Sequence, residues 1–291
     1  MAYTKTLREC IALAEKNKVA IGHFNISNLE GLHAIYTAAK KLNVPVIIGV
    51  SEGEESFVGR NEAVALVQTI RKHDNYPIFL NADHHASFKT VKAAIDSGFD
   101  AVIIDAAKLS FQENVKVTKE CVEYARKVTK ETGRDILVEA ELGYIGSGSN
   151  IKDTIPEGAG VLTKPEEAKK FVEMTGVDML APSVGSIHGL IKSGKPHIDA
   201  DLVAEIKKET GVSLVLHGGS GLRDVDFTNA IDSGISIVHI NTEIRLAFTE
   251  GLKESLKENP DEVVPYKVMQ GPQDAIEKVV EERLKLFNQI K

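Results

Sequence analysis

One stretch decides the fold: residues 77–107 read PIFLNADHHASFKTVKAAIDSGFDAVIIDAA. Its two ends, PIFLNAD and AVIIDAA, are short apolar runs that predict strands, and FKTVKAAIDSG between them predicts a helix that ends at a glycine. Strands that alternate with helices in this way lie parallel and are buried on both faces. The stretch therefore predicts one strand–helix–strand unit of a parallel α/β protein.

The same unit recurs along the whole chain. Strands are predicted near residues 19–26, 45–51, 77–83, 101–107, 136–143, 179–184, 213–218 and 237–242. Eight parallel strands are the number that closes a (β/α)8 TIM barrel, which typically takes about 250 residues. No linker rich in proline, serine or glycine divides the chain, so residues 1–291 are expected to form a single domain. A charged amphipathic segment at about 271–291 predicts an extra C-terminal helix that packs on the barrel or on a partner subunit.

Composition excludes several functional classes. The formal net charge is −7, whereas nucleic-acid binders usually carry a basic face, so no nucleic-acid partner is expected. No apolar run approaches the length of a membrane span and the N-terminus has no signal core, so no membrane association is expected either. The two cysteines, Cys10 and Cys121, lie in helical patterns and are expected to be buried thiols, which fits a reducing cytoplasm.

Polar residues gather where the predicted strands end, and the active site of a closed barrel lies at that rim. The third strand ends in Asp83-His84-His85, the sixth leads to His188, and the seventh ends in His217. Three histidines that arrive from three strands are typical of a catalytic zinc site, which has three protein ligands and one open position. We therefore predict that His84, His188 and His217 bind a metal. Asp83 beside them is the natural general acid/base, although support of a ligand is the alternative.

A phosphate site is predicted at the last two strands. HGGSG at residues 217–221 lets backbone N–H groups approach an anion, and these loops commonly hold phosphate in such barrels. The residues expected to take part are Gly218, Gly219, Ser220, Asn241 and Thr242. Lys192, in the loop after His188, could neutralise phosphate there. Since none of the predicted strands contains a lysine, the alternative chemistry of a lysine Schiff base is not expected.

These motifs resemble the class II, metal-dependent fructose-bisphosphate and tagatose-bisphosphate aldolases. The resemblance covers nearly the whole chain and rests on GHFNI, VIIGVSEG, NADHH, VEAELG, VGSIHGLIKSGKPHID, VLHGGSGL and GISIVHINTEIR. It implies reversible cleavage of fructose 1,6-bisphosphate to dihydroxyacetone phosphate and glyceraldehyde 3-phosphate, by a homodimer or homotetramer. The alternatives are a sister aldolase for tagatose bisphosphate or another ketose phosphate, a phosphosugar epimerase, and a catalytically silent protein that binds a metal and a sugar phosphate.

The resemblance also implies roles for individual residues. His84, His188 and His217 would be the zinc ligands, although cobalt or iron suits the same donors, and Asp83 would exchange the proton of the C4 hydroxyl. The dihydroxyacetone phosphate end would contact Gly189, Gly219, Ser220, Asn241 and Thr242, with a monovalent cation (Na+ or K+) near Gly189, Gly218 and Ser220. The distal part of the substrate would contact Asn25 and Ser51. Asp105 and Glu141 match positions associated with an alternative metal site.

Three departures from the family pattern bear on proton transfer. The family's loop after the fifth strand carries an acid that exchanges a proton with dihydroxyacetone phosphate, whereas the long loop at 144–163 has Gly148 or Ser149 at that place. Asp153 or Glu157 could substitute for it. The family asparagine two residues before Asn241 is replaced by His239, and His23 stands where alanine is common. Both imidazoles are expected to face inward, where one of them supplies the missing proton transfer or both only form hydrogen bonds.

Overall fold

The computed structural model describes residues 5–146, 148–155, 161–192 and 196–290. Within these ranges it contains ten strands, numbered here in chain order. They are β1 (Ile21–Asn25), β2 (Val46–Ser51), β3 (Ile78–His85), β4 (Ala101–Ile104), β5 (Leu137–Leu142), β6 (Ile151–Lys152), β7 (Met179–Pro182), β8 (Leu190–Ile191), β9 (Ser213–Leu216) and β10 (Ile235–Ile240). All eight predicted strands are present.

Eight of these strands close into a parallel barrel in the order β1-β10-β9-β7-β5-β4-β3-β2. Every neighbouring pair is parallel. The first strand, β1, pairs with the last, β10, and this pairing closes the barrel. The predicted (β/α)8 TIM barrel is therefore confirmed. The other two strands, β6 and β8, form a separate two-stranded parallel sheet that links the long loop after β5 to the loop after β7. This small sheet was not predicted, because both strands have only two residues.

Helices surround the barrel and cover its outer face. They are α1 (Leu7–Asn17), α2 (Leu29–Leu42), α3 (Glu52–Val58), α4 (Arg60–Asp74), α5 (Phe88–Ser97), α6 (Phe111–Thr132), α7 (Pro165–Thr175), α8 (Ala200–Thr210), α9 (Asp224–Ser233), α10 (Thr242–Glu258), α11 (Pro265–Val268) and α12 (Gln270–Phe287). Of the helices in the described ranges, none is long and apolar enough to cross a membrane. The predicted C-terminal helix is α12, and it packs against α2 and α10.

The barrel is closed at its N-terminal end, so the polar cavity lies at the opposite rim. Helix α1 begins with a capping box in which Thr6 and Glu9 bond each other's backbone N–H groups. Its buried face packs on the strand starts as part of one apolar cluster that includes Leu7, Ile11 and, from the barrel, Ile47. Cys10 also belongs to this cluster, while Cys121 is buried in the larger core outside the strands, as expected.

Candidate active site

A polar cavity opens at the carboxyl ends of the barrel strands, where the sequence predicted a site. Its lining includes most of the predicted site residues, and the full set is Asn25, Asp83, His84, Ser149, His188, Gly189, Gly218, Gly219, Ser220, His239, Asn241 and Thr242. These residues come from β1, β3, β10, the loops after β5, β7 and β9, and the start of α10. The closure of the barrel thus brings together side chains that are far apart in the sequence.

Four potential metal donors meet at the floor of this cavity, two of them in its lining and two buried directly behind it. One nitrogen each from His84, His188 and His217 and one oxygen of Glu141 all lie within 4.8 Å of one another. The Glu141 Oε2 atom is 3.7 Å from His188 Nε2 and 3.3 Å from His217 Nδ1. All three of these atoms are buried and make no hydrogen bond. Buried polar atoms without partners are costly, so a group of nitrogen and carboxylate donors left in this state fits a divalent metal ion.

Two carboxylates stand behind the histidines and fix their orientation. Asp105 Oδ2 lies 2.9 Å from His84 Nδ1, and Glu139 Oε1 lies 2.7 Å from His217 Nε2. Each ring therefore donates its N–H away from the cavity and presents its other nitrogen to the donor group. Metal-binding histidines are characteristically held in this way. Sequence reasoning missed Glu139, and it paired Asp105 with Glu141 as an alternative metal site, whereas the structure has only Glu141 in the donor group.

Asp83 lies at the edge of this group and is held by polar neighbours. Its Oδ2 accepts a hydrogen bond of 2.8 Å from Asn25 Nδ2, and its Oδ1 is 3.8 Å from His84 Nε2 and 3.5 Å from His239 Nδ1. Burial opposes ionisation, but the neighbouring imidazoles, His84 first, hold the pKa of the carboxyl well below its usual range. Burial likewise opposes charge on His84, yet Asp83 and Asp105 raise the pKa of His84 to about 9. Asp83 is therefore a carboxylate, able to accept a proton.

His23 and His239 face inward as expected and stack on each other. They are paired residues of β1 and β10, and their rings are parallel with centroids 3.5 Å apart. The ring of His239 also stacks on His217, at 4.3 Å. Only His239 lines the cavity, because His23 is fully buried beneath it against Gly49, where a Cβ atom would collide with the ring. Burial lowers the pKa of His23 to about 4, although the charge of Asp83 opposes the shift.

The predicted phosphate loop surrounds one side of the cavity. Gly218 has a φ of +63° and runs so close to the loop after β7 that a Cβ atom would lie 2.6 Å from the carbonyl carbon of Ile187. Gly219 has a similarly close contact with the backbone of His239. Glycines at both positions let the chain pass here and leave backbone N–H groups next to the cavity. Ser220 and Thr242 are buried beside them.

Three side chains that were predicted to contribute to the site, those of Lys192, Asp153 and Ser51, do not line the cavity. Lys192 is 64% exposed and pairs at 2.9 Å with Asp153, which is 86% exposed, so neither side chain lines the site. Ser51 caps α3, and its hydroxyl donates to Glu54 Oε2 at 2.9 Å. Glu157 lies outside the described residues. Ser149, one of the two residues predicted at the place of the family's loop acid, lines the cavity.

Comparisons with known proteins agree with this geometry. A family model described as fructose-bisphosphate aldolase class-II matches residues 5–291. A fructose-bisphosphate aldolase of Geobacillus stearothermophilus is 38% identical over 285 residues, which are 97% of this chain and 96% of that protein. One from Staphylococcus aureus is 37% identical over 286 residues with the same coverage. The crystal structure of the YdjI aldolase from Escherichia coli K12 is similar with a TM-score of 0.82 and 30% identity, over 97% of this chain and 96% of that chain. The chain therefore belongs to the class II fructose-bisphosphate aldolase family.

Proposed function

We propose that this aldolase reversibly cleaves fructose 1,6-bisphosphate to dihydroxyacetone phosphate and glyceraldehyde 3-phosphate, a reaction of glycolysis and gluconeogenesis. The observation that carries the proposal is the position of Asp83. This buried carboxylate accepts from Asn25 and lies 3.8 Å from Nε2 of a histidine in the metal-donor group. An aldol cleavage needs a base for a hydroxyl proton directly beside a group that polarises a carbonyl oxygen.

The metal is proposed to be one zinc ion per subunit, held by His84, His188 and His217. Three imidazoles are a donor set that zinc prefers at catalytic sites. A bound zinc ion would supply Lewis-acid polarisation of the ketone oxygen. Glu141 lies within the same donor group and is proposed as a further or alternative ligand when the open position is empty of substrate. Asp105 and Glu139 hold the rings of two of these histidines from behind.

Asp83 is proposed to move the proton at the C4 hydroxyl of the ketose. In cleavage the hydroxyl proton passes to the Asp83 carboxylate, the C4 oxygen becomes the aldehyde oxygen, and the C3–C4 bond breaks. The electron pair of that bond stays with the three-carbon phosphate half. Asn25 keeps the carboxylate oriented through its hydrogen bond to Oδ2. In condensation the same proton returns to the new hydroxyl group.

The dihydroxyacetone phosphate end is proposed to bind against the glycine loop. Backbone N–H groups at Gly189, Gly218 and Gly219, with Ser220 and Thr242, surround one side of the cavity. Asn241 lines the same space at the start of α10. A monovalent cation near Gly189, Gly218 and Ser220 is part of the proposal. Such a cation would balance the phosphate, since no lysine or arginine is among the described residues that line this cavity.

His239 is proposed to position the reacting groups in place of the usual asparagine. Its ring stacks on the rings of His23 and His217, and its Nδ1 lies 3.5 Å from Asp83 Oδ1. A neutral imidazole in that place orients the carboxylate and contacts the three-carbon half. Replacement of His239 with asparagine should therefore change the rate of proton exchange at dihydroxyacetone phosphate. An unchanged exchange rate would leave the ring with a packing role only.

The test is a coupled cleavage assay of metal-loaded protein with fructose 1,6-bisphosphate and tagatose 1,6-bisphosphate side by side. Cleavage that a chelator abolishes and zinc restores is the expected result, with the fructose sugar preferred. Asp153→Asn is a matched control, because it removes an exposed carboxylate from the loop beside the cavity and should leave the rate unchanged. No cleavage of either sugar by protein with zinc demonstrably bound would refute the proposal.

The proposal also covers the oligomeric state of the enzyme and its cellular location. A homodimer or homotetramer in the cytoplasm, with a phosphorylated ketose as its small-molecule partner, is proposed from the resemblance to the family. Light scattering coupled to gel filtration tests the oligomeric state. A monomer at micromolar concentration would contradict it.

A further inference from the structure

A second cavity adjoins the active site on the side of β1. It has a volume of about 270 Å³. The residues that line it are Asn25, Ile26, Ser27, Asn28, Gly31, Asn241, Ile244, Arg245, Phe248, Thr249 and Ile276. Asn25 and Asn241 line both cavities, so the two spaces meet at these side chains. We call the second space the distal cavity.

The distal cavity is where the leaving half of a ketose would extend. The three-carbon phosphate half occupies the glycine loop in the proposed function, on which this inference rests. The bond that breaks lies beside Asp83, and Asn25 contacts Asp83 directly at 2.8 Å. Beyond Asn25 the lining continues into the distal cavity, so the carbons after C4 pass this asparagine. The groups there decide what the far end of the substrate can be.

The polar groups between the active site and the distal cavity already form hydrogen bonds to a buried carboxylate, Glu54. Its Oε2 accepts hydrogen bonds from Asn25 Nδ2 at 2.8 Å, from the Ser51 backbone N–H at 2.9 Å and from the Ser51 hydroxyl at 2.9 Å. Its Oε1 accepts from Arg245 Nη2 at 2.8 Å. Glu54 is only 6% exposed, so its negative charge is poorly screened by solvent. The donors that the resemblance assigned to the distal part of the substrate therefore serve an internal anion.

The charge balance of the distal cavity disfavours a second anion. Among the described residues that line it, Arg245 is the only one with a cationic side chain, and Glu54 already pairs with it. A phosphate at the far end of the ketose would bring two negative charges next to this carboxylate. It would have to compete for a guanidinium whose charge is already matched. An uncharged polyol end meets no such opposition.

We propose that Glu54 sets the specificity of this enzyme for the distal end, so that ketose 1-phosphates without a second phosphate are substrates. The distal phosphate of fructose 1,6-bisphosphate then contributes less than about tenfold to kcat/KM, because its partner arginine is engaged by Glu54. Fructose 1-phosphate, which would yield dihydroxyacetone phosphate and glyceraldehyde, is the simplest member of this class. Glu54 is a specificity-determining residue and takes no part in bond breaking.

The experiment compares kcat/KM for fructose 1,6-bisphosphate and fructose 1-phosphate in the wild type and in Glu54→Gln. Glutamine keeps the capping box with Ser51 and the hydrogen bond from Asn25, so the fold of α3 is preserved. It removes the negative charge and leaves Arg245 able to bind phosphate. The bisphosphate-to-monophosphate ratio is expected to lie within about tenfold of unity in the wild type and to rise at least tenfold in the variant.

Two further variants separate a specific effect from a general one. Glu30→Gln removes an acid at the start of α2, whose first turn lines the same cavity at Gly31, and should leave the ratio unchanged. The double variant Glu54→Gln/Arg245→Gln should not show the rise in the bisphosphate-to-monophosphate ratio, because it lacks the Arg245 guanidinium. A wild-type preference for the bisphosphate above about a hundredfold would overturn the proposal. Equal shifts in Glu54→Gln and Glu30→Gln would overturn it as well.

Failure of this inference is distinguishable from failure of the proposed function. Exchange of the carbon-bound proton of dihydroxyacetone phosphate in deuterated water requires the metal site and the glycine loop, but not the distal cavity. Proton exchange at dihydroxyacetone phosphate together with a strong preference for the bisphosphate would refute the specificity proposal alone. Absence of both exchange and cleavage would sink the proposed function and, with it, this inference.

Discussion

The carboxylate behind His217 offers the sharpest test of the metal site. Glu139 is fully buried inside the barrel, and its Oε1 accepts the Nε2–H of His217 at 2.7 Å. The change Glu139→Gln keeps the shape and an acceptor oxygen but removes the charge. Asp105→Asn is the matched change behind His84, where the carboxylate is 31% exposed and the hydrogen bond is 2.9 Å. The pair compares the same chemistry at two degrees of burial.

The two degrees of burial predict different losses of zinc affinity. A hydrogen bond to a charged group contributes about 1.5 kcal/mol more than a neutral one, which corresponds to about tenfold in an equilibrium constant. Loss of such a partner typically weakens metal binding by about 10–100-fold. Glu139 has no solvent to screen its charge, so Glu139→Gln should weaken zinc binding by about tenfold or more. At partly exposed Asp105 the expected loss is about threefold.

The stability of the metal-free protein should respond less than zinc affinity to the change at Glu139. Burial raises the pKa of this carboxyl, although its hydrogen bond to His217 opposes the shift, so an ionised Glu139 is costly to bury. A neutral glutamine removes that cost but also removes a partner that raises the pKa of His217, so the Tm of the metal-free variant should change little at neutral pH. Zinc affinity is measured by competition with a chromogenic chelator, and Tm by scanning calorimetry with and without zinc. Unchanged zinc affinity in Glu139→Gln, or a larger loss in Asp105→Asn, would refute the reasoning.

Three further outcomes follow from the site and its surroundings. Asp83→Asn should lower kcat for cleavage by about 10²–10⁴-fold while zinc still binds, a split checked by kinetics and zinc titration. Lys192→Ala should change KM less than about twofold in steady-state kinetics, because its ion pair with Asp153 is exposed. Asp226 has a pKa held below its usual range, first by its hydrogen bond to Arg223. Its stabilising effect is therefore fully present above the unfolded pKa of about 4 and is lost progressively as the pH falls from there through the lower pKa of the folded protein. Asp226→Asn should therefore lower Tm more at pH 7 than at pH 3.

The barrel was predictable because its evidence is spread over the whole sequence. Each of the eight strands is a short apolar run between helical patterns, and a misjudged boundary does not alter the count. The carboxyl ends of eight parallel strands meet at one rim of a closed barrel, and His84, His188 and His217 therefore converge as expected. Contacts that depend on side-chain conformation were less accessible. Ser51 and Lys192 lie at the predicted rim, but one caps α3 and the other pairs with Asp153.

Two acids in β5 carry a sequence signal that points to the site. Glu139 and Glu141 lie two residues apart in the buried run Leu137–Leu142, so both point to the same face of the strand. A strand buried on both faces accommodates ionisable side chains only where partners compensate their charge. The inward face of β5 therefore required cationic or metal-binding neighbours. Parity and burial therefore place both glutamates at the site, and the structure shows Glu139 bonded to the His217 ring and Glu141 in the donor group.

The end of β3 could not be derived from strand periodicity, because the backbone there departs from it. Alternation would direct Asp83 and His84 to opposite faces and return His85 to the face of Asp83. In the structure His84 has a φ of +51°, and the pairing of β3 with β4 shifts between Ala82 and His85. As a result Asp83 and His84 both reach the cavity, while His85 turns outward to Glu55 at 3.2 Å. A non-glycine residue in this conformation is strained, and such strain persists where the surroundings over-determine it. Here the hydrogen bond from His84 to Asp105 holds the ring, so Asp105→Asn should loosen the backbone as well as the metal site.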